Sequence, residues 1–140
     1  KEMFIISQKI NMPNKSKSKS KKNFQTRSIE LLDITKASLE SNKAEDVVAI
    51  NLIGKASFAD HMVIATGTSQ RHVASMAVHL KEKMKTTGLK EVMLEGTTQN
   101  DWVLIDGGDV IVHLFTHEIR EFYAIEKIWS GDMPQSNNVA

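Results

Sequence analysis

A chain of 140 residues, 41% apolar, with 18 Lys and Arg against 17 Asp and Glu and no cysteine, has the makeup of one compact domain. Without cysteine there is no disulfide scaffold, thiolate zinc site, iron–sulfur cluster or thiol nucleophile. No apolar run approaches the roughly 20 residues of a membrane span, and Phe4-Ile5-Ile6 is too short for a secretory apolar region, so a soluble, cytoplasmic protein is expected.

The net charge of +1 averages two unlike parts. Residues 1–25 hold seven lysines and one acid, whereas residues 26–140 hold eleven bases and sixteen acids. Nine of those acids fall within 91–132, beside only Arg120 and Lys127. The alternating Lys/Ser stretch over 15–22 repels itself and can bury nothing, which predicts a disordered tail over 1–25. Such a tail is either a solvated leader or a weak contact for RNA phosphates. One folded domain is expected over 26–130, followed by a flexible C-terminus over 131–140.

In the body, Ile29, Leu32 and Leu39, flanked by Leu31 and Ile34, predict an amphipathic helix over 26–41. The β-branched run from Val47 to Leu52, ended by Gly54, predicts a strand, as does Met62-Val63-Ile64-Ala65. Val73, Met76, Ala77, Leu80 and Met84 fall at offsets of 0, 3, 4, 7 and 11, the buried stripe of a second helix. Thr68 or Ser69 is placed to cap it and Gly88 to end it. A short strand follows near Val92-Met93-Leu94, then two apolar runs on either side of Gly107-Gly108, and one or two short helical segments over 118–129. The order α-β-β-α-β-β-β-α predicts an α+β domain: a single mixed β-sheet with helices packed on it.

A two-residue Gly107-Gly108 turn would pair Asp106 with Asp109, Leu104 with Ile111 and Trp102 with His113. Alternation then sorts the two faces. Val103, Ile105, Val110, Val112 and Leu114 form an aliphatic core face. Trp102, Leu104, Ile111 and His113 form the opposite face, with Asp106 and Asp109 at its turn end and Asp101 just before the strand. An aromatic centre rimmed by repelling carboxylates has the character of an interface for a basic partner.

Signals for an enzyme are thin. The loop Thr66-Gly67-Thr68-Ser69, between a strand and a helix, could cradle a phosphate, which makes a nucleotide-binding or nucleotidyltransferase-like enzyme the alternative reading. It has one glycine and no following lysine, and residues 70–81 contain no acid to hold catalytic metals. His72 and His79 are seven apart, and His113 and His117 four apart across a strand end, without carboxylates at ligand spacing. No metal or cofactor is expected.

Three segments carry a family resemblance: Asp60-His-Met-Val-Ile-Ala-Thr-Gly-Thr-Ser-Gln-Arg-His-Val73, Asp101-Trp-Val-Leu-Ile-Asp-Gly-Gly-Asp-Val-Ile-Val-His113 and Arg120-Glu-Phe-Tyr-Ala-Ile-Glu-Lys-Ile-Trp129. Residues 28–129 resemble the ribosomal silencing factors, or Iojap-like proteins. The resemblance implies a fold related to nucleotidyltransferases without their chemistry. It further implies binding to the large ribosomal subunit through its fourteenth protein, and repression of translation by blocking subunit joining when nutrients are scarce. Trp102 and the neighbouring acids would lie at that contact, and the protein would be a monomer or homodimer. Gly107 stands where family members often carry Tyr or Leu, which would place part of the turn contact there.

Overall fold

The computed structural model describes the backbone of residues 16–129 and the side chains of residues 26–129. The elements are α1 (Ser16–Ser41), β1 (Glu45–Asn51), β2 (His61–Gly67), α2 (Gln70–Lys85), β3 (Met93–Glu95), β4 (Trp102–Asp106), β5 (Val110–Thr116), α3 (His117–Tyr123) and α4 (Glu126–Trp129). The expected α+β class and element order hold, with the last helical stretch divided in two. The five strands lie in the order β1-β2-β5-β4-β3, antiparallel except for the parallel β2–β5 pair. A parallel pair needs a long crossover, and here α2, β3 and β4 supply it.

The first helix starts at Ser16, ten residues before the predicted start at 26, so the Lys/Ser stretch from Ser16 onward continues the helix rather than forming a disordered tail. Once the packed part is nucleated, each further residue gains a hydrogen bond for the one residue it fixes, and lysine is a good helix former. The expectations for residues 1–15 and 131–140 fall outside the described residues. The buried side of α1 also differs from the predicted stripe. Ser28, Leu31, Thr35, Ser38 and Leu39 are buried, while Ile29 is 54% exposed. Small hydroxyl residues at these positions allow close helix packing, and Thr35 Oγ1 donates to the Leu31 carbonyl at 2.8 Å.

On α2 the predicted stripe is buried throughout, and Ser69 caps the helix by accepting from His72 N–H. With Leu31 and Leu39 of α1, this stripe covers Val103, Ile105, Val110, Val112 and Leu114, the aliphatic face expected from alternation. The other face carries a second core of Ile50, Leu52, Ala59, Met62, Ile64, Ile111 and Phe115.

The hairpin register is shifted by two residues from the expected one. Trp102 lies opposite Phe115, Leu104 opposite His113 and Asp106 opposite Ile111. The turn is centred on Gly108-Asp109 rather than Gly107-Gly108. Gly107 N–H donates to the Val110 carbonyl at 3.0 Å, and Gly108 adopts φ +88°, which favours glycine at this first central position. Asp106 Oδ1 accepts from Gly108 N–H at 2.9 Å, while the Asp109 carbonyl accepts from Asp60 and His61 of the neighbouring strand region. These bonds fix Asp109 in the turn. A shift of two preserves which face each side chain occupies, because the strand period is two. The expected Asp106–Asp109 cross-strand pair is therefore absent, but the division into faces survives.

Among the described residues, no helix is long and apolar enough to cross a membrane.

Candidate functional site

The second sheet face is only partly covered. The 52–60 connection and helices α3 and α4 lie over its β1–β2 side, where Ala56, Ile119, Ile125 and Trp129 pack against the second core. The α3–α4 cover is tied down by Arg120. Its guanidinium donates to Glu126 Oε1 from Nη2 (2.6 Å) and Nε (3.2 Å), and Nη1 reaches Thr66 Oγ1 (2.7 Å) and the Asp46 carbonyl (2.8 Å). That carbonyl is available because β1 bulges between Glu45 and Val48, with Asp46 at φ +50°.

The cover ends at Trp102. The Tyr123 ring packs on the indole with centroids 4.8 Å apart, and Phe115 lies at 5.1 Å. Trp102 Nε1 donates to His113 Nδ1 at 3.0 Å. The indole is thus half-buried and clamped by its own chain, not an open anchor. Beyond it, the β3–β4 side of the face is open. Leu104 and His113 are half-buried, Asp106 and Glu95 are exposed, and Met93 is 55% exposed. The pairs Met93–Asp106 and Glu95–Leu104 place the two β3 side chains on this same face. Phe122, 76% exposed, and Tyr123 border it at Trp102. Where β3 ends, Gly96 takes φ +88°, and a Cβ there would collide with the Trp102 carbonyl oxygen, so the close approach of these backbones requires glycine.

Of the seven residues predicted from sequence, Trp102, Leu104, Asp106 and His113 come together on the open half. Ile111 does not: only 9% exposed, it is enclosed in the second core with Met62. Asp109 sits in the turn. Partial desolvation, then the charge of Asp60, pushes its carboxyl pKa up, against Arg27 and His61. Asp101 lies at the far end of β4, roughly 17 Å of strand from Asp106, and lines a separate cleft of about 320 Å³ with Thr68, Ser69 and His117. The acids therefore do not form a closed rim. Sequence reasoning missed Met93, Glu95, Phe122 and Tyr123. A three-residue edge strand and the docking of α3 carry no local signal of which face they share. Position 107 points away from this site: a side chain there would meet Met84 of α2, on the helical side of the sheet.

Burial lowers the His113 pKa to about 4. The unfolded chain, with an ordinary histidine pKa near 6.5, takes up a proton between those values that the folded chain refuses. This contribution to stability is complete above pH 6.5 and is lost as pH falls toward 4, by up to about 3 kcal/mol. In chemical denaturation from pH 7 to 4, His113→Asn is expected to lose correspondingly less stability than the unaltered chain. Parallel pH profiles would contradict this.

The 66–69 loop engages its own helix. Thr68 N–H donates to His72 Nδ1 at 2.9 Å, and Ser69 Oγ accepts from His72 N–H. Three other histidines have structural partners: His72 Nε2 meets the Asn42 carbonyl and His79 Nδ1 meets Asn42 Oδ1, both at 2.7 Å, while His117 pairs with Glu45 at 3.0 Å. Among the described residues, no group of three or more His, Asp or Glu could hold a metal ion.

The fold and site define an α+β domain whose second sheet face is half covered by its own C-terminal helices and half open. The profile of the family described as "Ribosomal silencing factor during starvation" matches residues 25–140. Ribosomal silencing factor RsfS of Zymomonas mobilis is 42% identical over 113 residues, covering 78% of this chain and 85% of that protein. Mouse "Mitochondrial assembly of ribosomal large subunit protein 1" is 31% identical over 102 residues, 71% of this chain and 45% of that protein. A crystal structure of a Chromobacterium violaceum protein matches with a TM-score of 0.69 at 33% identity, covering 71% of this chain and 83% of that one. The chain belongs to the ribosomal silencing factor family.

Proposed function

We propose that this protein docks on the large ribosomal subunit through the open half of its sheet and represses translation by keeping the small subunit from joining. The observation that carries this is the open face itself, where Trp102, Leu104, Met93 and Tyr123 lie beside the carboxylates of Asp106 and Glu95. Apolar and aromatic groups next to like charges suit a basic protein surface with an apolar centre. The charges steer the encounter, and the aromatic cluster supplies buried area. Family membership supports the ribosome as target, and the mouse relative's name refers to its large subunit. The family resemblance points to the fourteenth protein of that subunit as the partner proposed. Steric exclusion requires occupancy alone, so no residue need act as an acid, base or nucleophile. The lysines of the 15–22 stretch add a secondary, salt-sensitive contact to ribosomal RNA phosphates.

The test is cosedimentation with purified large subunits, followed by a subunit-joining assay. Leu104→Glu puts a charge at the centre of the open face, on a half-buried side chain at the border of the second core, and is expected to abolish both binding and the block on joining. Normal binding by a folded Leu104→Glu protein would overturn the reading. Asp106→Asn keeps the acceptor for Gly108 N–H while removing the charge. It is expected to slow association several-fold at low salt and to have little effect at high salt. A rate insensitive to salt in the unaltered protein would remove the electrostatic part.

A further inference from the structure

Trp102 and His113 determine each other's chemistry. An indole N–H can only donate, so His113 Nδ1 accepts and carries no hydrogen. The hydrogen of the neutral ring is then on Nε2. Nε2 has no hydrogen-bond partner among the described residues. Among the described residues it is also not one of the buried unpartnered side-chain atoms, which are Ser28 Oγ, Ser38 Oγ and His61 Nδ1, and the residue is only half-buried. The imidazole is held nearly parallel to Phe115, at 9° with centroids 5.9 Å apart, and lies opposite Leu104 on β4 and Ile64 on β2. A ring stacked on one side and hydrogen-bonded at Nδ1 has its remaining N–H aimed before any partner arrives, the preorganisation that raises affinity and selectivity.

We propose that His113 is the hydrogen-bond donor at the centre of the docking face, offering Nε2–H to an acceptor oxygen of the large-subunit protein that covers it. This rests on the docking reading above and specifies its chemistry. The centre of the face takes an uncharged acceptor contact, while Asp106 and Glu95 meet the partner's positive charges at its margin. Burial keeps the ring neutral near pH 7, so the donor brings no charge into an interface that loses its water. A partner presenting Lys or Arg at this point would leave the donor unsatisfied and be rejected.

Two substitutions separate this role from simple support of Trp102. Asn at 113 retains an acceptor near the Nδ1 position and lacks the distal donor. Gln carries an N–H near the Nε2 position and lacks the proximal acceptor. With the full chain and purified large subunits, His113→Asn is expected to bind about tenfold more weakly while the Trp102 indole N–H resonance stays near its original position. His113→Gln is expected to bind within about threefold of the unaltered protein while that resonance moves. Undiminished binding by His113→Asn beside a loss in His113→Gln would overturn the proposal and mean that His113 only orients Trp102; equal loss in both variants would overturn it as well, because a donor at the Nε2 position would then not suffice for the contact. Should His113→Asn melt below the assay temperature, His113→Gln decides alone: retained affinity supports the donor role and lost affinity overturns it. Leu104→Glu measured alongside separates the two readings. If it abolishes binding while His113→Asn is silent, the donor role alone is wrong; if it too is silent, the docking face is wrong.

Discussion

Trp102→Ala is expected to weaken binding to isolated large subunits by about 2 kcal/mol or more, roughly thirtyfold in Kd. Three effects combine in that figure. The truncation removes the largest side chain bordering the open face, and it frees Tyr123, whose ring is held against the indole at 4.8 Å. It also leaves His113 Nδ1 without its donor. Because Trp102 packs on Phe115 from the second core, some loss of folding stability accompanies the loss of affinity. Trp102→Phe separates the two, since it keeps aromatic packing and deletes only the indole N–H and the larger ring. The expected order of affinity is unaltered, then Phe, then Ala, measured by sedimentation well below each variant's melting temperature. Equal affinity for a folded Trp102→Ala protein would show that the indole serves the fold alone.

The second large effect is on stability. Arg120→Ala is expected to lower the unfolding free energy by about 2 to 3 kcal/mol, read from the denaturant midpoint. The guanidinium is the shared donor for Glu126 on α4, the buried Thr66 hydroxyl on β2 and the bulged carbonyl of Asp46 on β1. Its removal leaves the buried Thr66 hydroxyl without its donor and breaks the ties to Glu126 and the Asp46 carbonyl, and α3 and α4, which contain no fully buried residue of their own, are then held by the partly buried packing of Ile119 and Trp129. Hydrogen exchange over 117–129 should accelerate more than over α2. Arg120→Lys keeps the charge but cannot span these partners with one ammonium, so it is expected to recover less than half of the loss. Because the same helices position Tyr123 against Trp102, the Ala variant should also bind large subunits less tightly. A midpoint within error of the unaltered protein would mean that the cover is held by its apolar contacts alone.

The contrast between α2 and α1 shows what can be read from local pattern. On α2 the apolar periodicity is strong and every residue of the predicted stripe is buried. On α1 the apolar residues lie on more than one side. The buried face was instead set by how closely the helix must approach its neighbours, which selects Ser28, Thr35 and Ser38 over Ile29. The hairpin shows the same division. Its two faces follow from a period of two and tolerate an even shift, whereas the register depended on Asp106 Oδ1 and on hydrogen bonds from Asp60 and His61, about 50 residues away in the chain. Ile111 and Leu104 share a face and similar apolarity, yet the first is enclosed and the second borders solvent. Helices α3 and α4 cover one side of the sheet and stop at Trp102.

Taken alone, the sequence determined the α+β class, the order of elements, the stripe of α2, the aliphatic face of the hairpin and, through three motif segments, the resemblance to a family. All of these depend on composition and short-range periodicity, which neighbouring residues carry. The tertiary structure alone decided how far Trp102 is covered, which acids stand near it, that Met93, Glu95, Phe122 and Tyr123 share its side of the sheet, and that His113 Nδ1 accepts from the indole. Those depend on which surfaces meet across the fold, and long-range packing and hydrogen bonding select among arrangements that local pattern leaves equally acceptable.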